Sequence, residues 1–462
     1  MNVSEAALSP AVAPTAAQAG WRRFCQAMTA IFYRRRETCG VENLPPRGPV
    51  ILCANHVNAL ADAVVVQASC PRPIHPLARS GLFRNPLLRP LLGLIQAVPI
   101  YRRRPGQDAA AAANEDSFRR CHEYLDAGRA ILIFPEGQSH SDPMLRPLKT
   151  GAARLALGFH ERRGVLPAVV PVGLTFPQKG RFRSELLVQY GKPVELETGG
   201  DDREAAVRRA TDAILEGLRR VTLNVESWQD LELMRLLQRF FLLRGGRHEG
   251  ARGSRPGRKL SERFQSLQRL IEAHRWLRLT RPDEVSVFRE KLRRFERLCR
   301  RYGVDDYHLH LRYRPALVAR FVSRSLVFAL FVFPLALWGL LWSSVPYLAT
   351  RWMTRLTAWG RDQYDTAGML FGLAFFFLFW GVQTFAAWWL WGLRTAALYG
   401  ASLPLTAAVA LVVAKERKRI TENVRVFFLF VRRRQVREYL RLKRQELEIE
   451  VAHMVRLARQ GA

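Results

Sequence analysis

The 462-residue sequence predicts an α/β core followed by an α-helical basic insert and C-terminal transmembrane helices. Three observations lead to this fold class. Strand-like apolar runs alternate with helical stretches over residues 45–200, the pattern of an α/β domain. Residues 231–315 are rich in arginine and have no strand signal. Long runs without any charged residue follow them.

The elements of the core are predicted in chain order. We expect strands in the runs "GPVILCA", "QAVPIY", "RAILIFPEG", "LPAVVPVGLTF" and "ELLVQYGKPVEL". We expect helices in "WRRFCQAMTAIFYRR", "GLFRNPLLRPLLGLI", "AANEDSFRRCHEYLDAG", "PLKTGAARLALGFHERRG" and "DDREAAVRRATDAILEGLRRV". The first of these helices has apolar residues at helical spacing with arginines around them, so it lies on a membrane surface or packs onto the protein's own core.

Composition predicts five segments. They are a disordered Ala/Pro-rich lead at 1–20, the core domain with its N-terminal amphipathic helix at 21–230, the basic helical insert at 231–315, a transmembrane region at 316–414 and a basic cytoplasmic helical tail at 415–462. The lead has neither a basic region nor an uninterrupted apolar run, so we predict no signal peptide there.

The apolar runs near the C-terminal end predict membrane spans. No charge occurs from Ser325 to Thr350 or from Ala367 to Leu393, and a third apolar run covers Ala396–Ala414. About 20 apolar residues suffice to cross a bilayer as a helix. Basic flanks on both sides place the core and the tail in the cytoplasm and favour an even number of crossings. One run is then re-entrant or interfacial, or Pro334 divides the first.

The charge balance limits the classes of partner. Lysine and arginine number 72 against 40 acidic residues, a net charge of +32, which suits a polyanion. Nucleic acid and an anionic membrane both fit this balance. The concentration of tryptophan and phenylalanine in the late apolar runs favours anionic membrane lipids, and we expect no nucleic acid. The six cysteines show no metal-ligand spacing and are expected to be reduced thiols.

The first motif that carries chemistry is "NHVNALAD" at residues 55–62, directly after a predicted strand. His56 is suited to accept a proton near neutral pH, and a carboxylate on its other ring nitrogen would fix its tautomer. Residues six apart do not share a helix face, so the chain must turn between His56 and Asp62. The alternative is the polar end of a strand running into a loop.

Three further motifs follow. "FPEGQSHSD" at 134–142 forms a turn between a strand and a helix, near Lys149, and is either an ordinary loop or a cradle for an oxyanion or a phosphate. "AVPIYRRR" at 97–104 delivers Arg102 and two more arginines, either as a basic surface turn or as phosphate ligands. "VVPVGLTF" at 169–176 is apolar and is expected to shape a wall.

In this order and at these intervals, the four motifs resemble the glycerolipid acyltransferase family of glycerol-3-phosphate and 1-acylglycerol-3-phosphate acyltransferases. The resemblance covers about residues 35–205. The sequence departs from the common pattern in having one more residue between His56 and Asp62, Asn58 in place of serine, and no arginine in the third motif. These variants look most like the fungal-type glycerol-3-phosphate/dihydroxyacetone-phosphate acyltransferases, which also carry a C-terminal extension with membrane helices.

The resemblance implies a mixed sheet flanked by helices and a role for each motif. His56 would take the proton of a substrate hydroxyl, Asp62 would orient His56, and Arg102 would hold the substrate phosphate. Glu136 and Gly137 would shape the turn beside the phosphate. The missing arginine leaves the phosphate ligands open, and the candidates are Arg102, Arg79, His140 and Lys149.

The same resemblance implies the substrates. The acyl donor would be acyl-CoA or acyl carrier protein, the acceptor glycerol 3-phosphate or dihydroxyacetone phosphate, and no metal or bound cofactor is implied. Two alternatives remain at this point. One is an enzyme of the same fold with lysophosphatidate or another lysophospholipid as acceptor. The other is a non-enzymatic membrane module.

Overall fold

The computed structural model describes residues 14–86, 88–101, 108–199, 202–244, 259–305, 308–309, 315–358, 360 and 362–460. Most of the expected disordered lead and Arg102 lie outside the described residues. The chain divides into two compact units. Unit 1 comprises Met1–Glu226 with Met353–Leu370, and unit 2 comprises Ser227–Trp352 with Phe371–Ala462.

Unit 1 contains a seven-stranded sheet with the order β1-β7-β6-β2-β5-β3-β4. Its strands are β1 (Tyr33–Cys39), β2 (Val50–Ala54), β3 (Ile74–Arg79), β4 (Val98–Ile100), β5 (Ala130–Ile133), β6 (Ala168–Thr175) and β7 (Ser184–Tyr190). The five strands from β6 to β4 are parallel, while β7 runs antiparallel to β6 and parallel to β1. The sheet is therefore mixed, as expected. The carboxyl ends of β2, β3, β4, β5 and β6 share one edge.

Helices cover both faces of this sheet. Unit 1 contains α1 (Ala16–Phe32), α2 (Leu60–Ser69), α3 (Arg89–Leu94), α4 (Asp108–Asp126), α5 (Gly151–Arg163) and α6 (Arg203–Val221). Side chains of β2 alternate between the faces: Val50 and Leu52 pack with α1 and α2, whereas Ile51 and Cys53 pack with α4, α5 and α6. Both faces are buried, which explains why β2 reads as a continuous apolar run.

The N-terminal helix starts earlier than expected. It begins at Ala16, where Thr15 and Gln18 form a capping box, so the last residues of the expected lead are helical. Cys25 and Phe32 are buried against the core, while Ile31 on the opposite side is 59% exposed. One face of α1 therefore packs onto the protein itself.

In unit 2, the basic insert and the tail pack together. Helices α7 (Trp228–Arg244), α8 (Leu260–Thr280), α9 (Pro282–Tyr302) and α12 (Arg434–Gln460) form one bundle, in which α12 contacts both α8 and α9. A small apolar cavity of about 60 Å³ lies among Met234, Leu277, Phe288 and Met454. The sequence had suggested two separate segments.

The apolar runs form two long helices, α10 (Pro315–Thr357) and α11 (Tyr364–Arg432). By length and composition, Leu330–Thr357 and Tyr364–Ala414 could each cross a membrane. The second and third apolar runs both lie in α11, which Gly392 interrupts with non-helical angles of φ 83° and ψ 172°.

Candidate active site

The loop after β2 is tied to the neighbouring strand β6. The buried side chain of Asn55 accepts a hydrogen bond from the Leu174 N–H (2.7 Å) and donates one to the Leu174 C=O (3.1 Å). This pair of bonds continues the ladder beyond the end of β2. His56 therefore leaves the sheet at its carboxyl edge, where ligands of open α/β sheets bind.

His56 and Asp62 form a hydrogen-bonded pair. The His56 Nδ1 lies 3.0 Å from the Asp62 Oδ2, and Asp62 is fully buried in the first turn of α2. The same oxygen accepts the backbone N–H groups of Val57 (2.8 Å) and Asn58 (2.7 Å). The chain thus turns around the carboxylate, as the spacing required. A carboxylate accepts only from Nδ1–H, so Nε2 keeps its lone pair and can accept a proton.

The surroundings of His56 fix its ring. The imidazole stacks on Phe134, with ring centroids 4.2 Å apart and an interplanar angle of 20°. The His56 N–H donates to the Glu136 Oε1 (2.8 Å), and the His56 C=O accepts from the His140 N–H (3.1 Å). Its side chain remains 19% exposed. A substrate can therefore reach Nε2, the nitrogen that Asp62 does not occupy.

The turn after β5 requires glycine. Gly137 has φ +71°, and a β-carbon there would lie 2.7 Å from the Lys149 Cε. The Gly137 N–H donates to the Phe134 C=O (3.0 Å), and the Lys149 N–H donates to the Pro135 C=O (2.8 Å). The exposed Lys149 side chain is therefore held against this turn, two residues before α5 begins.

Glu136 connects the turn after β5 to the loop that carries His56. Its second carboxylate oxygen, Oε2, accepts from the His140 Nε2 and from the Arg146 N–H (2.9 Å). The His140 Nδ1 in turn accepts from the Asp142 N–H (3.1 Å), and its side chain is only 2% exposed. His140 was one of four candidate phosphate ligands, and in the structure both of its ring nitrogens are engaged within this turn.

The remaining predicted cations lie on the neighbouring strands. Arg79 ends β3 with an exposed side chain, and it pairs in register with Ile100 at the end of β4. Because β3 and β4 run parallel to β5, Arg79 lies at the same edge as His56. Arg102 follows β4 by two residues and lies outside the described residues.

Lys179 was missed by the sequence analysis. It follows β6, and its Nζ donates to the His140 C=O and to the Ser141 Oγ, both at 3.1 Å. Burial lowers the pKa of Lys179, while the nearby carboxylates of Asp62 and Asp365 raise it. The "VVPVGLTF" motif predicted only an apolar wall. The basic residue five positions after Leu174 was the available signal.

Asp365 and Thr366, which are distant in sequence but belong to unit 1, contact the loop between His56 and Asp62. The buried Asp365 carboxylate accepts from the Asn58 amide, from the Tyr33 hydroxyl (3.3 Å) and from the Gly180 N–H (2.8 Å). Burial raises the pKa of Tyr33 well above its usual value, and the Asp365 charge adds to this effect. The Thr366 hydroxyl also contacts the loop. No motif in the sequence pointed to these residues.

Parts of the chain are similar to known proteins. Residues 21–175 match the family model "Acyltransferase". Glycerol-3-phosphate O-acyltransferase 1 of Saccharomyces cerevisiae is 32% identical over 137 residues, which is 27% of this chain and 18% of that protein. A 1-acyl-sn-glycerol-3-phosphate acyltransferase of Borreliella burgdorferi is 32% identical over 119 residues, 26% of this chain and 44% of that protein. The chain thus matches less than half the length of either relative.

Among solved structures, the 1-acyl-sn-glycerophosphate (LPA) acyltransferase of Thermotoga maritima is similar, with a TM-score of 0.34 and 18% sequence identity. The similarity covers 44% of this chain and 78% of that one. The fold assignment rests on the sheet and its flanking helices.

Proposed function

We propose that this chain is a membrane-bound O-acyltransferase of phospholipid synthesis, because residues 21–175 match the acyltransferase family model and part of the chain resembles glycerol-3-phosphate O-acyltransferases. It would transfer a fatty acyl group from acyl-CoA or acyl carrier protein to a hydroxyl of glycerol 3-phosphate or dihydroxyacetone phosphate. The single observation that carries this proposal is the His56–Asp62 pair, which leaves one histidine nitrogen accessible at the carboxyl edge of the sheet.

The proposed step is direct acyl transfer. The substrate hydroxyl oxygen attacks the thioester carbonyl carbon while its proton passes to the His56 Nε2. Asp62 stabilises the imidazolium that forms. The tetrahedral intermediate then collapses, the carbon–sulfur bond breaks, and the thiolate leaves with the proton from His56. The products are an ester and a free thiol, so atoms and charge balance without a further reactant.

The cations at this edge would place the acceptor. We assign Lys149, Arg79 and Arg102 to the substrate phosphate, because the first two have exposed side chains beside the turn and at the end of β3. Holding the phosphate fixes the hydroxyl near the thioester carbon and removes the entropy cost of their encounter. His140 supports Glu136, and Glu136 fixes the backbone of His56.

Membrane attachment suits an acyl chain. The two long apolar helices would anchor the protein in the bilayer, with the catalytic domain and the tail on the cytoplasmic side. The net charge of +32 would attract anionic lipids to the basic helices.

A second candidate acceptor follows from the relatives. The matched relatives include 1-acyl-sn-glycerol-3-phosphate acyltransferases, so a lysophospholipid acceptor is the alternative substrate for the same site. The departures in the first and third motifs favour the glycerol 3-phosphate type. Both acceptors carry a phosphate and a hydroxyl, and only an assay separates them.

The test is acyl transfer by purified protein in detergent. Labelled acyl-CoA and acyl carrier protein thioester are offered with glycerol 3-phosphate, dihydroxyacetone phosphate and lysophosphatidate. We expect transfer to one of the first two, and a His56→Ala rate lower by about a hundredfold to ten-thousandfold, as for removal of a general base. His453→Ala, on the surface of α12, is the matched control and retains full activity.

Three results would contradict the proposal. Transfer only to lysophosphatidate would assign the chain to the second acylation. A His56→Ala variant as active as the His453→Ala control would remove the proposed base. Absence of transfer from either donor to any acceptor would support the non-enzymatic alternative.

A further inference from the structure

We propose that Asp365 and Thr366, at the beginning of α11, are positioning residues that hold the loop between His56 and Asp62 in its catalytic geometry. This inference rests on the proposed function. Both residues lie in the Met353–Leu370 segment of unit 1, and their hydrogen bonds to the loop go to Asn58 and Ala61. They act on the residues between the two members of the pair.

Thr366 bridges the two sides of the loop. Its hydroxyl donates to the Asn58 C=O and accepts from the Ala61 N–H, each at 3.0 Å. A hydroxyl can donate one proton and accept others, so one side chain satisfies both backbone groups. Asn58 follows His56 by two residues, and Ala61 precedes Asp62. The Thr366 hydroxyl therefore holds Asn58 and Ala61, on the two sides of the loop, at a fixed separation.

Asp365 fixes the side chain in the middle of the loop. Asn58 is fully buried, and its amide donates to the Asp365 Oδ2. The other Asp365 oxygen accepts the Gly180 N–H at 2.8 Å. The Asn58 N–H in turn binds the Asp62 carboxylate that orients His56. The hydrogen bonds thus run from α11 through Asn58 to the catalytic pair.

The loop needs such support because its backbone is strained. Ala59 adopts φ 47° and ψ −129°, a conformation that residues with a side chain rarely take. The sequence has one more residue here than the common family pattern, and this unusual conformation lies within the extended loop. Strained residues persist only where neighbouring contacts hold them. Thr366 supplies two of these contacts.

The decisive variant is Thr366→Val, which keeps the side-chain shape and removes the hydroxyl. We expect kcat to fall about tenfold, because small misplacement of a catalytic group costs up to about a hundredfold. The KM values of donor and acceptor should change less than about twofold, since neither substrate contact is removed. Thr366→Ser restores the hydroxyl and should recover most of kcat.

Two companions complete the series. In Asp365→Asn, an amide NH2 group replaces one carboxylate oxygen and faces a group that itself donates, either the Asn58 amide or the Gly180 N–H. One hydrogen bond is therefore lost, and kcat should also fall with little change in KM. Thr357→Val is the matched control: its exposed hydroxyl donates to the Met353 C=O of its own helix at 2.7 Å, and among the described residues it has no bond to the loop, so kcat should stay at the wild-type value. All rates are measured well below the thermal midpoint of each variant, so that loss of fold is excluded.

The outcomes separate this inference from the proposed function. Wild-type transfer that His56→Ala abolishes establishes the function whatever Thr366 does. The positioning role is then overturned if Thr366→Val matches the Thr357→Val control, if Thr366→Ser fails to recover kcat, or if the effect lies in KM. Absence of transfer by the wild type would defeat the proposed function first.

Discussion

At the scale of a single residue, His75 shows how burial of an imidazole makes the stability of the fold depend on pH. Its ring is inaccessible, stacks on Tyr124 at 4.4 Å, and lies with Nδ1 3.2 Å from the Ile95 C=O. Burial lowers the pKa of His75 to about 4, and the nearby Arg129 charge lowers it further. The unfolded chain takes up this proton near pH 6.5, long before the folded protein does.

This shift predicts a loss of stability on acidification. Between pH 6.5 and about pH 4 the unfolded state binds the proton preferentially, so the free energy of unfolding falls as the pH falls. At about pH 5.5 the loss amounts to about 1.4 kcal/mol. We expect the thermal midpoint to drop less between about pH 7.5 and about pH 5.5 in His75→Phe than in the wild type.

Thr357→Val, a change at an exposed residue that does not titrate, is the control for this measurement and should keep the wild-type pH dependence. His75→Phe also loses its hydrogen bond to Ile95, so its midpoint at neutral pH is lower. The informative quantity is the difference between the two pH values. Equal differences in His75→Phe and the wild type would contradict the assigned pKa.

The His56–Asp62 pair and the turn after β5 were predictable at this scale because they are local. The structure brings His56, Asp62, Glu136, Gly137 and Lys149 together, and each lies in a motif of adjacent residues with strand and turn signals. Lys179, Asp365 and Thr366 were not predictable. Which distant residues meet depends on the tertiary fold, and a single sequence does not encode that in its local pattern.

At the scale of the element, strand β6 and helix α6 depend on a close approach at Gly173. A β-carbon at this position would lie 1.9 Å from the carbonyl oxygen of Val221, the last residue of α6. The Gln189 side chain donates to the same carbonyl at 3.1 Å, so the oxygen cannot simply move away. The "VVPVGLTF" motif therefore carries a packing requirement as well as an apolar wall.

We predict that Gly173→Ala destabilises the core by about 2 kcal/mol or more, because overpacking forces the helix end to shift. The measurement is the thermal midpoint in detergent. Gly81→Ala is the matched control, since nothing lies within 4 Å of a β-carbon there. A thermal midpoint for Gly173→Ala equal to that of Gly81→Ala would show that the end of α6 can shift without loss of stability, which would contradict the prediction.

Three elements, β1, β3 and α2, were not predicted from the sequence, because the residue pattern of each is compatible with more than one kind of secondary structure. β1, "YRRRETC", has four consecutive charged residues and therefore looked like the basic end of α1. β3, "IHPLAR", contains a proline that lowers its strand signal. α2, "LADAVVVQAS", contains three consecutive valines that disfavour a helix prediction. Burial against neighbouring elements decides such cases.

At the scale of the whole molecule, the described contacts predict on which side of the membrane one segment lies. Asp362 and Asp365 bond Ser139 and Asn58 within unit 1, with the Ser139 hydroxyl 2.5 Å from the Asp362 Oδ2. A bilayer cannot separate groups in hydrogen-bond contact. We therefore predict that the segment between α10 and α11 shares the aqueous compartment of the sheet of unit 1.

The prediction is tested by labelling single cysteines in sealed vesicles with a membrane-impermeant maleimide. Gln363→Cys and Lys192→Cys, both at exposed positions, should react from the same side. The unsubstituted protein is the control, because its own cysteines are buried apart from the half-buried Cys39. Reaction of the two variants from opposite sides would contradict the contact.

The hydrogen bonds between α11 and the loop between His56 and Asp62 also imply an order of folding during protein synthesis. The ribosome releases the chain from its N-terminal end, and Asp365 emerges 307 residues after Asn58. At about 5–20 residues per second, this interval lasts roughly 15–60 s. During it the sheet can fold, yet the loop beside His56 lacks its support. Translation itself would thus delay the proposed acyl transfer until the first apolar helix has left the ribosome.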